Sequence, residues 1–145
     1  MNNLEWCLTN RNPQEIADVL NEQGLSIGVD WREEDEAIVS YFSEKVRGQL
    51  THEGTPDNDL VIRYKDKSVP IGLQEEPADR DRTLQAIRDI IQEDYEIRVL
   101  KSSLDWDTFV FVVEERATWQ KLDAEQGELI SQLFVAFTYE VRFWE

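Results

Sequence analysis

The residues that could do covalent or acid–base chemistry are few. His52 and Cys7 are the only histidine and cysteine in the chain, so a Ser-His-Asp or Cys-His arrangement would have to use them. His52 lies in a polar stretch, QLTHEGTPDN, and no nucleophile motif surrounds either residue. Cys7 stands among Leu4, Trp6 and Leu8, where a cysteine serves as a small packing group. Alone, it forms neither an internal disulfide nor a cysteine-based zinc cluster. The six glycines never fall into a dinucleotide fingerprint or a phosphate loop. Asp57-Asn58-Asp59 offers oxygen ligands but lacks EF-hand spacing and a distal bidentate glutamate. Asp105-Trp106-Asp107 contains the D-x-D of some metal-dependent transferases, a pattern that recurs by chance among 31 acids. With so many carboxylates, none is singled out as half of an acid–base pair. The expectation is a protein with no catalytic residue, no metal and no cofactor.

Charge is the strongest global signal. Fifteen Lys and Arg stand against 31 Asp and Glu, a net charge of -16. Such a surface repels nucleic acid and anionic membranes and attracts a positively charged protein; acidity also keeps a protein soluble. With 145 residues, 41% of them hydrophobic, the chain is expected to form one domain with its own core. The start, MNNLEWCLTN, lacks the basic and apolar regions of a signal peptide, and no stretch approaches the ~20 apolar residues of a membrane span. The expected location is the cytoplasm.

The elements that would position any site follow from periodicity. Leu4, Trp6 and Leu8 alternate with Glu5 and Cys7 and predict a strand over 4–8. Asn12 reads as an N-cap, with Pro13 at the first helical position, Glu15 in the first turn and Gly24 as the stop. Ile16, Val19, Leu20 and Gln23 share one face of that helix. Asp30 and Glu33 form an Asp-x-x-Glu capping box for a second helix over 31–47, where Ile38, Phe42 and Val46 recur at helical spacing. Residues 49–58 read as a loop and 59–73 as a β-hairpin, with Pro70 keeping the returning strand at an edge. Leu84, Ile87, Ile90 and Ile91 line one side of a helix over 79–92. The strongest strands are 95–101 and 107–114, and the second is so apolar that both its faces must be covered. A helix over 115–126 turns Trp119 and Leu122 inward, Gly127 interrupts it, and Leu129, Ile130, Leu133, Phe134 and Phe137 resume helical spacing. A final strand is expected over 138–144. The summed order predicts an α+β fold, a mostly antiparallel sheet of hairpins packed against several helices in a single domain over 1–145.

Three acidic clusters are the candidate partner-binding residues. Glu33, Glu34, Asp35 and Glu36 open the second helix, where the helix dipole already favours carboxylates by ~0.3–1 kcal/mol each. Glu75, Glu76, Asp79 and Asp81 precede the third, among Arg80 and Arg82. Asp105 and Asp107 flank Trp106 beside a chain reversal. An apolar ring with charged neighbours matches a buried anchor with a steering rim. Trp144 invites the same reading.

Residues 79–137 resemble small bacterial immunity proteins of contact-dependent inhibition and related polymorphic toxin systems. The helix DRDRTLQAIRDIIQEDYEIR, the following SSLDWDTFVFVVEE and the acidic WQKLDAEQGELISQLF carry the resemblance. It implies a cytoplasmic antidote that binds one cognate toxin domain, commonly a basic nuclease, and occludes its active site or substrate surface without chemistry of its own. Two other readings fit the same charge: an acidic DNA mimic that inhibits a nucleic-acid-binding protein, and an adaptor subunit of a stable complex with a large exposed apolar patch.

Overall fold

In the computed structural model, which describes residues 3–10, 12–138 and 140–141, the chain begins with α1 (Asn3–Asn10), a 3-10 turn at Pro13–Glu15 and α2 (Ile16–Glu22). There follow β1 (Ser26–Asp30), α3 (Asp35–Lys45), β2 (Leu50–Gly54), β3 (Leu60–Tyr64), β4 (Lys67–Pro70) and α4 (Asp79–Ile91). The last part comprises β5 (Tyr95–Leu100), a 3-10 turn at Lys101–Asp105, β6 (Thr108–Glu115), α5 (Arg116–Leu133) and β7 (Phe134–Ala136). A main sheet has the order β1-β6-β5-β7, and β2-β3-β4 form a second sheet of three strands. All pairings are antiparallel, so the predicted α+β architecture is the observed one. No helix among the described residues is long and apolar enough to cross a membrane.

The apolar run of β6 explains the layering. Phe109, Phe111 and Val113 project into one core with Ile38 and Phe42 of α3, Leu84 and Ile87 of α4, and Leu60, Ile62 and Tyr64 of the small sheet. Val112 projects to the opposite side, into a second core with Leu4 of α1, Leu20 of α2, and Trp119 and Leu122 of α5. Edge-to-face rings knit the first core: Phe111 meets Phe42 at 5.7 Å and Phe137 at 5.3 Å between centroids. In the second, Trp119 meets Phe134 at 5.5 Å, its Nε1 donates to the Glu96 carbonyl at 2.9 Å, and the Arg98 guanidinium lies over its ring.

Several local expectations give way to tertiary context. Residues 4–8 lie in a helix, with Leu4, Cys7 and Leu8 buried and Trp6 exposed; Leu4 and Leu8 satisfy an i, i+4 spacing as well as an alternation. Asp30 does not cap a helix at 31. It ends β1, and its carboxylate accepts the Arg32 backbone N–H at 2.9 Å and the Arg32 guanidinium at 3.0 and 3.1 Å, so α3 starts only after Glu34. The stretch 49–58 contains β2, which has the single buried residue Leu50 and hence a weak pattern. α5 breaks its helical geometry at Gln126, beside Gly127, and resumes, but Phe134 then enters β7 instead of continuing the helix. Extended backbone lets Phe134 and Phe137 reach opposite cores, which one helical face cannot do. Of the strand expected over 138–144, Thr138, Glu140 and Val141 are not in a strand, and positions 139 and 142–144, Trp144 among them, lie outside the described residues.

Two carboxylates bear on stability in opposite senses. Asp35, at the start of α3, is buried and accepts from Arg80 Nε at 2.9 Å, from a second Arg80 nitrogen, and from Thr83 Oγ1 at 2.7 Å. This ties the N-terminus of α3 to that of α4. Glu114, at the end of β6, has its carboxyl pushed up to about 7 by burial and secondarily by the charge of Glu115.

Asp35→Ala is expected to lower unfolding free energy by about 2–4 kcal/mol in urea titrations, because it leaves the Arg80 guanidinium largely buried and uncompensated. A loss well below ~1 kcal/mol would mean the network does not hold the helices together. Glu114 is the opposite case. Its folded-state carboxyl holds a proton that the unfolded chain, near its ordinary 4.5, has lost, so its contribution falls as pH rises from 4.5 to about 7. Glu114→Gln should therefore raise stability above pH ~7 by about 2–3 kcal/mol and leave it little changed near pH ~4. Parallel pH–stability curves for variant and parent would contradict this.

Candidate functional site

The pairing of β1 with β6 brings two exposed tryptophans to one end of the main sheet. The register runs from Ser26 opposite Val112 to Asp30 opposite Thr108. Beyond that last pair the chain leaves β1 through Trp31 and Arg32 and enters β6 through Trp106 and Asp107. Trp31 is 44% exposed and Trp106 is 47% exposed, although burial of either ring would be strongly favourable. Leu104, in the preceding turn, is also exposed. Asp107 is close enough to Arg32 to help raise its pKa, after the dominant effect of Asp30.

Local hydrogen bonds hold both loops. Ser103 is fully buried, donates to the Leu100 carbonyl at 2.7 Å and accepts the Val110 N–H at 2.9 Å. It thereby clamps the end of β5 to β6. The Trp106 N–H donates to the Ser103 carbonyl at 3.0 Å. On the other side, Asp30 holds Arg32, whose guanidinium stands 5.6 Å from the centroid of Trp31. Glu33 accepts the hydroxyl of Tyr41 from α3 at 3.3 Å. The charge of Glu33, then burial, raises the Tyr41 pKa.

The acidic clusters divide into an inner and an outer set. Asp35, Asp79 and Asp81, taken from the sequence as partner-binding, are buried and turned into the protein. Asp79 accepts the backbone N–H groups of Gln74 at 2.9 Å and Glu76 at 3.2 Å and pairs with Arg82 at 2.7 Å. Burial pushes its carboxyl up, but these donors outweigh burial and hold it below its ordinary value. Glu34, Glu36, Glu75, Glu76, Asp105 and Asp107 are exposed, and Glu33 is half-buried. Glu76 is paired with Arg82. Through the Arg80–Asp35 contact and the β1–β6 register, all three clusters gather at the end of the molecule that carries Trp31 and Trp106. The cations here are paired with carboxylates: the exposed Arg32 binds Asp30, the largely buried Arg80 binds Asp35, and Arg82 binds Glu76 and Asp79. Carboxylates and aromatic rings face solvent beside the exposed Arg32–Asp30 pair.

The other chemistry-bearing residues stand apart. Cys7 is buried in α1, and His52 is exposed on β2. Asp59 accepts backbone N–H groups from Leu60, Gly72 and Leu73 at 2.8–3.0 Å, so it closes the β3–β4 hairpin. A groove of about 620 Å³ separates β4 from α4, and its charged residues Lys67, Arg82 and Asp89 are paired with Glu93, with Glu76 and Asp79, and with Arg88. Trp31 and Tyr41 were not candidates from sequence. Trp31 carries the signal that marks Trp106, a tryptophan bracketed by charged residues, Asp30 and Arg32, just past an alternating apolar pair. No known protein family, curated protein or solved structure matches this chain.

Proposed function

We propose that this protein binds a basic protein domain through the end formed by Trp31, Trp106 and the surrounding carboxylates, and that it acts as a cytoplasmic immunity protein, neutralising a toxin domain by covering its active site or substrate surface. The observation that carries this reading is the pair of exposed tryptophans on loops fixed by Ser103 and Asp30, with outward carboxylates around them and the local arginines Arg32 and Arg80 already paired with Asp30 and Asp35. Exposed Trp rings on preorganised loops supply apolar area at little entropic cost. The acids raise the encounter rate with a cationic surface and repel nucleic acid competitors. The resemblance of residues 79–137 to immunity proteins supports the choice of a toxin as the partner, and a single, buried cysteine, Cys7, suits a reducing compartment.

The test is growth of bacteria expressing basic nuclease-type toxin domains, with and without this protein, together with binding measured at low and high salt. Rescue and a complex weakened by salt are expected. Trp31→Ala and Trp106→Ala should each weaken binding at least about tenfold with an unchanged melting temperature, because neither ring is in a core. Charge reversal at Asp105 and Asp107 should act mainly on the association rate and its salt dependence. Rescue that survives the Trp31→Ala, Trp106→Ala double substitution would place the interface elsewhere.

A further inference from the structure

Among the described residues β1 is an edge strand, paired in the main sheet with β6 and with no other strand. Alternate backbone N–H and C=O groups along its outer side therefore lack a strand partner. The other edges are blunted. β4 carries Lys67 and also Pro70, which has no N–H to offer an added strand. β7 has three residues. β2 buries only Leu50 and carries Glu53, paired with Arg63. β1 has five residues, Ser26-Ile-Gly-Val-Asp30, without proline or a basic side chain, and is anchored by the buried Ile27 and Val29.

A groove of about 180 Å³ runs beside this edge, between Ser26–Gly28 and Tyr41, Glu44 and Lys45 of α3. Lys45 donates its ammonium to the Gly24 carbonyl, while Glu44 is exposed and Glu33 meets Tyr41 nearby. Gly28, in mid-strand, is exposed. A Cβ there would meet the Thr108 methyl at 3.3 Å, closer than an ordinary contact, so packing against Thr108 is one reason for glycine in this strand. Room for close approach of a second backbone on its exposed side is another. The strand leads directly into Trp31, so the edge is continuous with the aromatic and acidic surface.

Resting on the basic-partner reading, we infer that β1 accepts a strand from a lysine- or arginine-rich β-hairpin of the partner, which extends the main sheet beyond β1 and lays its cations against Glu33 and Glu44. Backbone hydrogen bonds would supply register and affinity, and alternate side chains would reach the groove.

The experiment is NMR amide exchange on the full chain with a synthetic hairpin of about sixteen residues, alternating lysine and valine around an Asn-Gly turn. A control peptide keeps the lysines and has proline in place of alternate valines. The hairpin should slow exchange within Ser26–Asp30 about tenfold or more and shift the indole signals of Trp31 and Trp106, while the control should leave β1 exchange unchanged. Gly28→Lys should remove the protection, and Glu44→Lys, an exposed change that leaves β1 itself intact, should weaken it. Shifts at Trp31 and Trp106 without protection of β1 would overturn strand addition and leave the basic-partner reading standing. Equal protection by both peptides would also overturn strand addition. No binding by either peptide would overturn both readings.

Discussion

Strand β6 carries large apolar side chains on both faces, and the rest of the fold answers the need to cover them. Helices α3 and α4, with the small sheet, close over Phe109, Phe111 and Val113, while α1, α2 and α5 close over Val112. A strand buried on both faces also needs neighbours at both edges, which β1 and β5 supply. The register is tightly constrained, because a slip of one residue would exchange the side chains delivered to the two cores. That constraint fixes Thr108 opposite Asp30. It thereby fixes where Trp106 and Trp31 emerge. The exposed aromatic pair is a geometric consequence of how the core is filled.

The same end of the molecule shows how a chain of charge -16 tolerates dense acids. Each arginine in the three clusters is matched to carboxylates that are buried or close beside it in the chain: Arg80 to Asp35, Arg82 to Asp79 and Glu76, and Arg32 to Asp30. These pairs perform structural work, joining α3 to α4 and closing the turns before both helices. Glu34 and Glu36 lie beside the first turn of α3, where unpaired backbone N–H groups offset part of their mutual repulsion. The surviving field is negative and points outward.

Much of the architecture was legible because long apolar patterns are hard to misread. The double-sided burial of β6, the stripe Leu84, Ile87, Ile90 and Ile91 of α4, the β3–β4 hairpin and the interruption near Gly127 all follow from spacing alone. The failures are short elements with ambiguous spacing. Leu4 and Leu8 satisfy helix and strand alike, and Phe134 fits the helical run of α5 until the unpaired edge of β5 draws it into β7. β1 and β2 have two and one buried residues, too few for a pattern. At the candidate site, sequence located the acidic clusters and Trp106 but could not sort inner acids from outer ones. That sorting depends on Arg80 reaching across 45 residues to Asp35, a contact that local spacing does not encode.

Acids at a helix start and acids at a binding rim are often treated as competing explanations, yet at this end they are compatible. Glu34 and Glu36 can stabilise α3 and at the same time project a field into solvent, because a favourable dipole interaction does not neutralise a charge. Charge effects on binding and on folding are therefore entangled at these positions. The tryptophans are different. Trp31 and Trp106 lie outside both cores, and Ser103 and Asp30 hold their loops through hydrogen bonds. Leaving two large rings nearly half exposed forgoes apolar burial that a change of residue type would make unnecessary. Stability alone gives no reason to keep them there, whereas the proposed contact with a partner would.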